Sequence, residues 1–367
     1  MVNSIQSEQY QAQLGEKKER FNSSLAPFAA PHPTVFASPP THYRYRAELR
    51  VWHQGDDLSY IMFDKQTKQK IFISTLPIAS KLINTTMPAL LAELKDTRLL
   101  RYKLFQVDFL STQTDQLLIT LIYHKKLDED WQVAATKLRQ RLISILPAKQ
   151  LHIIGRAKGQ KINLHQDFVV ETIHLQDQTL HYQQIENSFT QPNPTVATHM
   201  LNWAKKCTQN STGDLLELYC GNGNFSIALA NNFGKVLATE VSKSSVNSAQ
   251  YNIKLNAVHH VEVVRMSAEE FTQAMNKTRQ FRRLEHVDLD SYQCNTILVD
   301  PPRCGLDAKT IELLQHYPAI VYISCNLDTL ADNLSTLTQT HTIIDCALFD
   351  QFPYTDHIEA GVYLFKK

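Results

Sequence analysis

Residues 215–230 read LLELYCGNGNFSIALA, an apolar run that leads into Gly221-Asn222-Gly223 and then into a helix-like segment. Glycines at such a turn let the backbone turn sharply and approach a ligand closely. Glu240 ends the next apolar run, 19 residues after Gly221 (240 − 221), where an acid can bind ribose hydroxyls. Ser226 replaces the third glycine of a dinucleotide-binding loop. The pattern favours S-adenosylmethionine over a pyrophosphate cofactor, with a ligand-free tight turn as the alternative.

The rest of the C-terminal half repeats this change from strand to helix. From about Ser188, apolar runs such as VLATEV, VEVVRMS and IVYISC alternate with helix-like segments. This alternation is typical of βαβ units and a parallel sheet. The closing runs HTIIDCALFD and GVYLFKK are predicted to pair. We therefore expect an α/β protein whose C-terminal domain, residues 188–367, is Rossmann-like.

The N-terminal half has a different pattern. A polar helix is predicted from about Ser7 to Ser24, and the Pro-rich run APHPTVFASPP after it is interpreted as an extended connector. In HYRYRAELRVWH, apolar residues alternate with Arg44, Arg46 and Arg50, which predicts a strand with one Arg-rich face. A hairpin is predicted around STQTD. Residues 1–187 are therefore predicted to form an α+β domain that contains antiparallel sheet.

Composition and cysteine spacing exclude several classes of protein. The chain has 367 residues and a formal net charge of +1. No stretch reaches the roughly 18 apolar residues of a membrane span, and the polar start lacks a signal segment, so a cytoplasmic protein is expected. The six cysteines contain no CxxC pair, so neither a metal site nor a cysteine-ligated cluster is expected. Free thiols are the expected state.

A second motif is ILVDPPRCGLD, residues 297–307. Asp300 comes where a parallel strand ends, at the edge where α/β sheets bind ligands. The two prolines stiffen the loop, and Arg303 is a fixed cation that suits an anionic or carbonyl-bearing substrate. Amino methyltransferases typically carry an aromatic residue at this position, so Arg303 indicates a different acceptor. A structural loop with a surface arginine is the alternative.

Two further motifs, VYISCNLDTL and HIEAGVYL, supply a thiol and an acid. Cys325 lies between a strand and a predicted helix, whose N-terminal dipole is expected to lower the thiol pKa. Glu359 stands two residues before Gly361, whose missing side chain is expected to leave room for a ligand. Separately, a packed cysteine and a solvated acid are the simpler interpretations. Together they suit methylation of uracil C5: a thiolate adds to C6, and a base removes the C5 proton.

In order, the motifs that resemble the uracil-C5 RNA methyltransferases are FTQPNP, ELYCGNGNFS, DPPRCGLD, YISCN and HIEAGVYL. Resemblance to the tRNA (uracil-5-)-methyltransferase branch extends over nearly the whole chain, through EQYQAQL, HYRYRAELRVWH, YHKKLD and DQFPYT. The ribosomal branches usually add a TRAM domain and an iron–sulfur cluster. The first cysteine here is Cys207, so neither is supported.

The resemblance implies roles for particular residues. Cys325 would be the nucleophile and Glu359 the proton-abstracting base. The positions that match the S-adenosylmethionine and uracil pocket are Gln191, Tyr219, Asn224, Glu240 and Asp300. The implied substrate is the T-loop uridine of tRNA, conventionally position 54, with transfer-messenger RNA as a second substrate. No obligate protein partner and no membrane partner are evident.

RNA contacts are predicted on the N-terminal half. Arg44, Arg46 and Arg50 supply phosphate-binding charge, while Phe105 and His124, next to Lys125 and Lys126, offer stacking surfaces. Proteins recognise RNA loops by splaying bases against aromatic or Arg planes, and a uridine inside a folded loop must be flipped out. An ordinary solvated sheet face is the simpler interpretation.

Two rival functions stay open from the sequence. One is a ribosomal-RNA uracil-C5 methyltransferase that has lost its cluster. The other is a tRNA-binding folding factor for which methylation is secondary. A small-molecule methyltransferase fits least, since roughly half of the chain would then have no task.

Overall fold

A computed structural model describes residues 7–64 and 67–367 of the chain. The described residues cluster into two compact units, and neither unit is one continuous stretch. We call Pro39–Thr172 with Gln183–Pro194 the N-terminal unit. We call Ser7–Ser38, Ile173–Tyr182 and Thr195–Lys367 the C-terminal unit.

The elements are numbered in chain order. The helices are α1 (Ser7–Leu25), α2 (Lys81–Lys95), α3 (Arg98–Arg101), α4 (Glu129–Ile145), α5 (Pro194–Cys207), α6 (Asn224–Leu229), α7 (Lys243–Leu255), α8 (Ala268–Met275), α9 (Ala308–Leu314) and α10 (Leu327–Leu337). The strands are β1 (Thr34–Phe36), β2 (Arg46–Gln54), β3 (Asp57–Phe63), β4 (Lys70–Ile73), β5 (Leu104–Ser111), β6 (Gln116–Tyr123), β7 (Gln150–Ala157), β8 (Gln160–Asn163), β9 (Phe168–His174), β10 (Thr179–Ile185), β11 (Asp214–Leu218), β12 (Val236–Glu240), β13 (Val261–Arg265), β14 (Cys294–Val299), β15 (Ala319–Ser324), β16 (His341–Phe349) and β17 (Glu359–Lys366).

The C-terminal unit is built on a sheet in the order β1-β16-β17-β15-β14-β11-β12-β13. Strands β15, β14, β11, β12 and β13 run parallel to one another. β17 is inserted antiparallel between β15 and β16. The Rossmann-like α/β fold is therefore confirmed, and so is the predicted pairing of the two closing strands.

Both faces of this sheet are buried because its strands are apolar at consecutive positions. On β15, Ile320 and Tyr322 belong to one core cluster, and Val321 and Ile323 belong to the other. The first cluster includes apolar residues of α1, α8, α9 and α10, and the second includes those of α5, α6 and α7. The unit is thus a three-layer arrangement with helices on both faces.

The structure of residues 7–38 differs from the sequence expectation in one respect. The predicted helix is present as α1, and its Phe21 and Leu25 are buried in a core cluster of the C-terminal unit. The Pro-rich run that was expected to be only a connector contains β1, which pairs in parallel with β16. Pairing with a distant strand is a tertiary effect that the local sequence does not encode.

The N-terminal unit contains a sheet in the order β4-β3-β2-β5-β6-β7-β8. Its pairs are antiparallel except β6 with β7, which are parallel and joined through α4. Burial alternates from Ala47 to Val51 as predicted for β2, and α2, α3 and α4 contribute to one core cluster with the sheet. The expected α+β domain with antiparallel sheet is confirmed.

Helix α2 was not predicted from the sequence. It contains Pro88 and a Thr85-Thr86 pair, both of which disfavour helix locally. Its N-cap residue Ser80 accepts a hydrogen bond from Ile83, and Ile83, Met87, Leu90 and Leu94 are fully buried. Tertiary burial of one apolar face outweighs the poor propensity.

Within the described residues, no helix is long and apolar enough to cross a membrane.

Gly361 provides a test of packing inside the C-terminal sheet. A Cβ atom at this position would lie 2.7 Å from the Trp203 ring and 2.9 Å from the Phe349 ring. Gly361→Ala is therefore expected to lower the free energy of unfolding by ~1–3 kcal/mol, the usual cost of overpacking. Urea denaturation followed by circular dichroism measures it.

Gly15→Ala is the matched control. A Cβ at Gly15 meets nothing within 4 Å, and the residue lies inside α1, so alanine is expected to add about 0.5–1 kcal/mol of stability. Equal effects of the two substitutions would contradict this account of Gly361.

Candidate active site

The ends of neighbouring strands bring the predicted site residues of the C-terminal unit to one edge of its sheet. Leu218 of β11 pairs with Val299 of β14 and with Thr239 of β12. One position further along, Tyr219 therefore comes beside Asp300 on one side and Glu240 on the other. This is the edge at which open α/β sheets bind ligands.

Cys325 and Glu359 meet at the same edge through the antiparallel strand. Ser324 of β15 pairs with Ala360 of β17, so the next position along the ladder sets Cys325 opposite Glu359. Directly opposed residues in an antiparallel pair have Cβ atoms about 4.5–5.5 Å apart. The structure thus brings together a thiol and a carboxyl that are 34 residues apart in sequence (359 − 325).

The glycine loop forms a cradle at the same edge of the sheet. Gly221 has φ +57° and Gly223 has φ +80°, and a Cβ on Gly221 would meet nothing within 4 Å. The Glu240 carboxylate accepts hydrogen bonds from the amides of Gly221 at 3.0 Å and Ser242 at 2.7 Å. These bonds fix the carboxylate and leave it acceptor capacity for a ribose diol. The open glycine loop and the fixed acid fit a nucleoside-type cofactor.

Other predicted cofactor residues contribute in different ways. Tyr219 is held at φ +64°, and its side chain packs against the core, so burial raises its pKa to about 12. Asn224 begins α6, and its carbonyl accepts a hydrogen bond from the Tyr182 hydroxyl. Gln191 belongs to the N-terminal unit and is partly buried there.

The loop that follows Asp300 is fastened to the helix after Cys325. The Arg303 carbonyl accepts hydrogen bonds from the side chains of Asn326 at 3.0 Å and Thr329 at 3.4 Å. Further along, the Asn333 carboxamide oxygen accepts from the Leu306 amide and from the Tyr322 hydroxyl. The loop after Asp300 and the helix after Cys325 are therefore held together, through asparagines that the sequence analysis did not single out.

The pKa of Cys325 is raised, whereas the sequence analysis predicted that it is lowered. Its thiol is partly buried just before the N-cap of α10. Burial raises its pKa to about 11, and the nearby Glu359 and Asp300 carboxyls raise it further, while Arg303 lowers it. The predicted lowering by the helix dipole is wrong for this structure, because burial and two acids outweigh it.

The pKa values of Glu359 and Asp300 are both raised, which favours the neutral form of each carboxyl. Glu359 is 5% exposed, and its pKa is raised to about 8 by burial and then by Asp300, with Arg303 lowering it. Burial raises the pKa of Asp300 to about 7. An acid with a pKa near 8 is suited to exchange protons at neutral pH.

Gly361 does not do what the sequence suggested. The space left by its missing side chain is filled by the rings of Trp203 and Phe349. It serves packing inside the sheet, and the prediction that it opens the site to a ligand is wrong.

Two polar contacts near the site were missed in the sequence. An Arg303 guanidinium nitrogen lies 3.3 Å from a ring nitrogen of His357, and both residues are exposed. The Ser226 hydroxyl donates to the buried Glu217 carboxyl, whose pKa burial raises to about 8. Ser226 is the residue in place of the third glycine, which was the available signal for this second contact.

The cysteines carry no disulfide, since all six are free thiols. Across the described part of the chain, no cluster of three or more His, Cys, Asp or Glu residues could hold a metal ion.

The RNA-contact candidates of the N-terminal unit divide into two groups. Arg44 is partly buried and donates to the Arg46 carbonyl, while Arg46 donates to the Ser188 carbonyl and pairs with Glu48 at 3.3 Å. Arg50 is exposed, and its guanidinium lies 4.5 Å from the centre of the Phe105 ring. Phe105 in turn lies 4.2 Å from the exposed His124 ring. Arg50, Phe105 and His124 therefore lie one against the next in a group that we call the open stack, with the His124 ring tilted by 52° to that of Phe105. The charges of Arg44 and Arg46 are largely engaged within the protein.

The whole chain is similar to known proteins. Residues 9–367 match the family model described as tRNA (Uracil-5-)-methyltransferase. A Proteus mirabilis protein named tRNA/tmRNA (uracil-C(5))-methyltransferase is 57% identical over 367 residues, 100% of both chains. One of the same name from Aggregatibacter aphrophilus is 58% identical over 98% of each chain.

A solved structure agrees with the fold. The Pyrococcus abyssi tRNA (uracil-54, C5)-methyltransferase in complex with S-adenosyl-L-homocysteine superimposes with a TM-score of 0.72 at 20% identity, covering 97% of this chain and 83% of that one. On the family match and the full-length relatives, the chain belongs to the tRNA (uracil-5-)-methyltransferase family.

Proposed function

We propose that this tRNA uracil-C5 methyltransferase modifies the T-loop uridine, position 54, to 5-methyluridine through a covalent bond between Cys325 and uracil C6. The observation that carries the proposal is the register of β15 and β17, which sets Cys325 opposite Glu359. Asp300 and Arg303 lie close enough to influence both groups. Transfer-messenger RNA, which the names of the relatives include, is proposed as a second substrate.

The chemistry follows from the weakness of uracil C5 as a nucleophile. Addition of the Cys325 sulfur to C6 moves electron density onto C5, which can then accept a methyl group. S-adenosylmethionine, when bound, supplies that methyl group. Glu359 then takes the C5 proton, the C5–C6 double bond re-forms, and the C6–sulfur bond breaks to release the thiolate.

The residues that would hold the cofactor are those of the glycine cradle. Glu240 would accept hydrogen bonds from ribose hydroxyls, since its carboxylate is already fixed by Gly221 and Ser242. The open space beside Gly221 lets a ligand approach the backbone. The proposed contacts of Gln191, Tyr219, Asn224 and Asp300 complete the set that the family resemblance implies.

The N-terminal unit is proposed to bind the T arm. Its open stack of Arg50, Phe105 and His124 offers a cation and two ring faces, the groups on which unpaired RNA bases stack. Cys325 is partly buried at the sheet edge, so a uridine inside a folded loop must leave its stack to reach the thiol, and base flipping is part of the proposal.

Mass spectrometry of digested tRNA tests the reaction. With an unmodified tRNA transcript and S-adenosylmethionine, the wild type is expected to form 5-methyluridine in the T loop. Cys325→Ala is expected to form none, because no other group adds to C6. Cys304→Ser is the matched control: it removes an exposed thiol on the adjacent loop and is expected to keep activity.

The other outcomes of this assay decide between the rivals. Methylation by Cys325→Ala would refute the covalent mechanism. Modification of ribosomal RNA but not tRNA would refute the proposed substrate. If Cys325→Ala still restores the fold of a misfolded tRNA, a folding role accompanies the methylation.

The pH profile tests the electrostatics. Because the pKa values of Glu359 and Cys325 are raised to about 8 and about 11, kcat/KM is expected to rise from pH 6 to pH 9. Over this range Glu359 loses its proton, and the small thiolate fraction of Cys325 increases. Arg303 lowers both pKa values, so Arg303→Met is expected to shift the profile to higher pH. Lys309→Met, which removes an exposed cation on α9, is the control. A profile that Arg303→Met leaves in place or shifts to lower pH would contradict this account.

The stack on the N-terminal unit is tested by tRNA binding. Arg50→Ala is expected to weaken binding about 5- to 10-fold and to reduce the salt dependence by about one phosphate contact. Arg141→Ala is the control, because Arg141 lies on α4 and pairs with Glu93. Filter binding at two salt concentrations measures both variants, and equal losses would remove the stack from the interface.

A further inference from the structure

Helix α1 presents a row of polar side chains to the segment that leads to Glu359. Gln13, Lys17 and Arg20 are spaced by four and three residues, so they share one face of the helix. Each of the three contacts a residue between Asp350 and Asp356. We call residues 350–357 the base segment, because it connects the end of β16 to Glu359 at the start of β17.

The central contact is a buried ion pair. The Lys17 ammonium donates to an Asp350 carboxylate oxygen at 2.7 Å and to the Phe352 carbonyl at 2.9 Å. The side chains of Lys17 and Asp350 are only 2% and 1% exposed. A buried charge pair is costly to desolvate, and removal of one partner leaves an uncompensated buried charge. Here the pair joins α1 to the first residue of the base segment.

The flanking contacts hold the main chain of the base segment. The Gln13 side chain accepts a hydrogen bond from the Tyr354 amide and donates to the Thr355 carbonyl at 3.4 Å. Arg20 donates to the Asp356 carbonyl at 3.1 Å. Together with the Lys17 bond to Phe352, these bonds connect α1 to the backbone of residues 352, 354, 355 and 356. They define the path of the segment.

Both ends of the base segment are joined to the C-terminal sheet, and its last residue lies beside Arg303. The Asp350 amide donates to the Phe36 carbonyl at 3.0 Å, and Phe349 pairs with Glu359 across β16 and β17. Near its end the segment carries His357, which lies against Arg303. A shift of the segment would therefore move both the entry to Glu359 and a neighbour of Arg303.

Attachment of α1 to the protein does not require this polar row. Leu14, Phe21 and Leu25 already pack against a core cluster of the C-terminal unit, which is enough to bury one face of a helix. The polar row is therefore additional to packing, and all three of its members contact the base segment.

We propose that Gln13, Lys17 and Arg20 are positioning residues for the removal of the C5 proton, since they hold the base segment so that Glu359 stays opposite Cys325. The inference rests on the proposed function, in which Glu359 is the base. In that step the C5–H bond breaks, the proton passes to Glu359, the electron pair forms the C5–C6 double bond, and the C6–sulfur bond to Cys325 breaks.

The test uses the double variant Gln13→Ala/Arg20→Ala of the full chain. Gln13 is partly buried and Arg20 is exposed, so the fold is expected to persist, whereas Lys17→Met would leave a buried carboxylate without its cation. The matched control is Gln11→Ala/Lys18→Ala, which removes the same kinds of side chain from exposed positions of the same helix.

Three quantities are measured with tRNA and S-adenosylmethionine: kcat, the Kd for tRNA, and the steady-state fraction of enzyme in a denaturant-stable adduct with RNA. Misplacement of the base is expected to lower kcat about tenfold. The adduct fraction is expected to rise, because the methylated intermediate waits for proton removal, and Kd is expected to stay within about twofold of the wild type. The control variant is expected to match the wild type in all three.

Other results would overturn the inference. Wild-type kcat and adduct fraction in the double variant would show that Gln13 and Arg20 do not position the base, which overturns the role proposed for the polar row. A parallel fall in kcat and in adduct formation would place its effect on the attack by Cys325 or on folding.

Glu359→Gln, run beside these variants, separates this inference from the function on which it rests. If Glu359→Gln accumulates adduct and the α1 variant does not, only the positioning role fails. If Glu359→Gln does not accumulate adduct, the assignment of the base fails, and the positioning role fails with it.

Discussion

The antiparallel insertion of β17 into an otherwise parallel sheet is the constraint on which the site depends. Parallel strands bring their carboxyl ends to one edge, which places Asp300, Cys325 and Glu240 together. A residue at the start of a strand reaches that edge only if the strand runs the other way. Because β17 does so, its first residue, Glu359, lies opposite Cys325. The pairing of an acid with a thiol is thus a consequence of topology: the backbone ladder sets the register of the two residues, and α1 contacts the segment that leads to Glu359.

Electrostatics at this edge follow from burial. Cys325, Asp300 and Glu359 would each carry negative charge when ionised, and burial disfavours that charge in all three. Two ionised acids side by side would also repel each other. Arg303 opposes these effects at Cys325 and Glu359, which gives the arginine of the DPPR motif an electrostatic role besides its proposed contact with substrate. On its solvent side this arginine lies against the exposed His357 ring.

The sequence was sufficient for what depends on local pattern and insufficient for what depends on distant contacts. Strand-to-helix alternation predicted the Rossmann-like half. The alternation of apolar and polar residues predicted β2, and both patterns are local. Helix α2 was missed because its stability comes from burial despite Pro88 and two threonines. The pKa of Cys325 was predicted in the wrong direction, because the helix that was considered is next to it in sequence whereas Glu359 and Asp300 are not. Gly361 was misinterpreted for the same reason: Trp203 and Phe349, which occupy its free space, lie far from it along the chain.

Chain order and folding units therefore differ in this protein. Residues 7–38 precede the N-terminal unit, yet α1 supplies Phe21 and Leu25 to a core cluster of the C-terminal unit. Strand β1 covers the outer side of β16, which would otherwise be an exposed sheet edge. Residues 173–182 add buried apolar side chains to the other cluster. A catalytic half that began at residue 188 would lack the helix that holds the base segment, the strand that protects the sheet edge and part of a core. Its sheet and its site are consequently completed by segments that lie on the N-terminal side of that boundary.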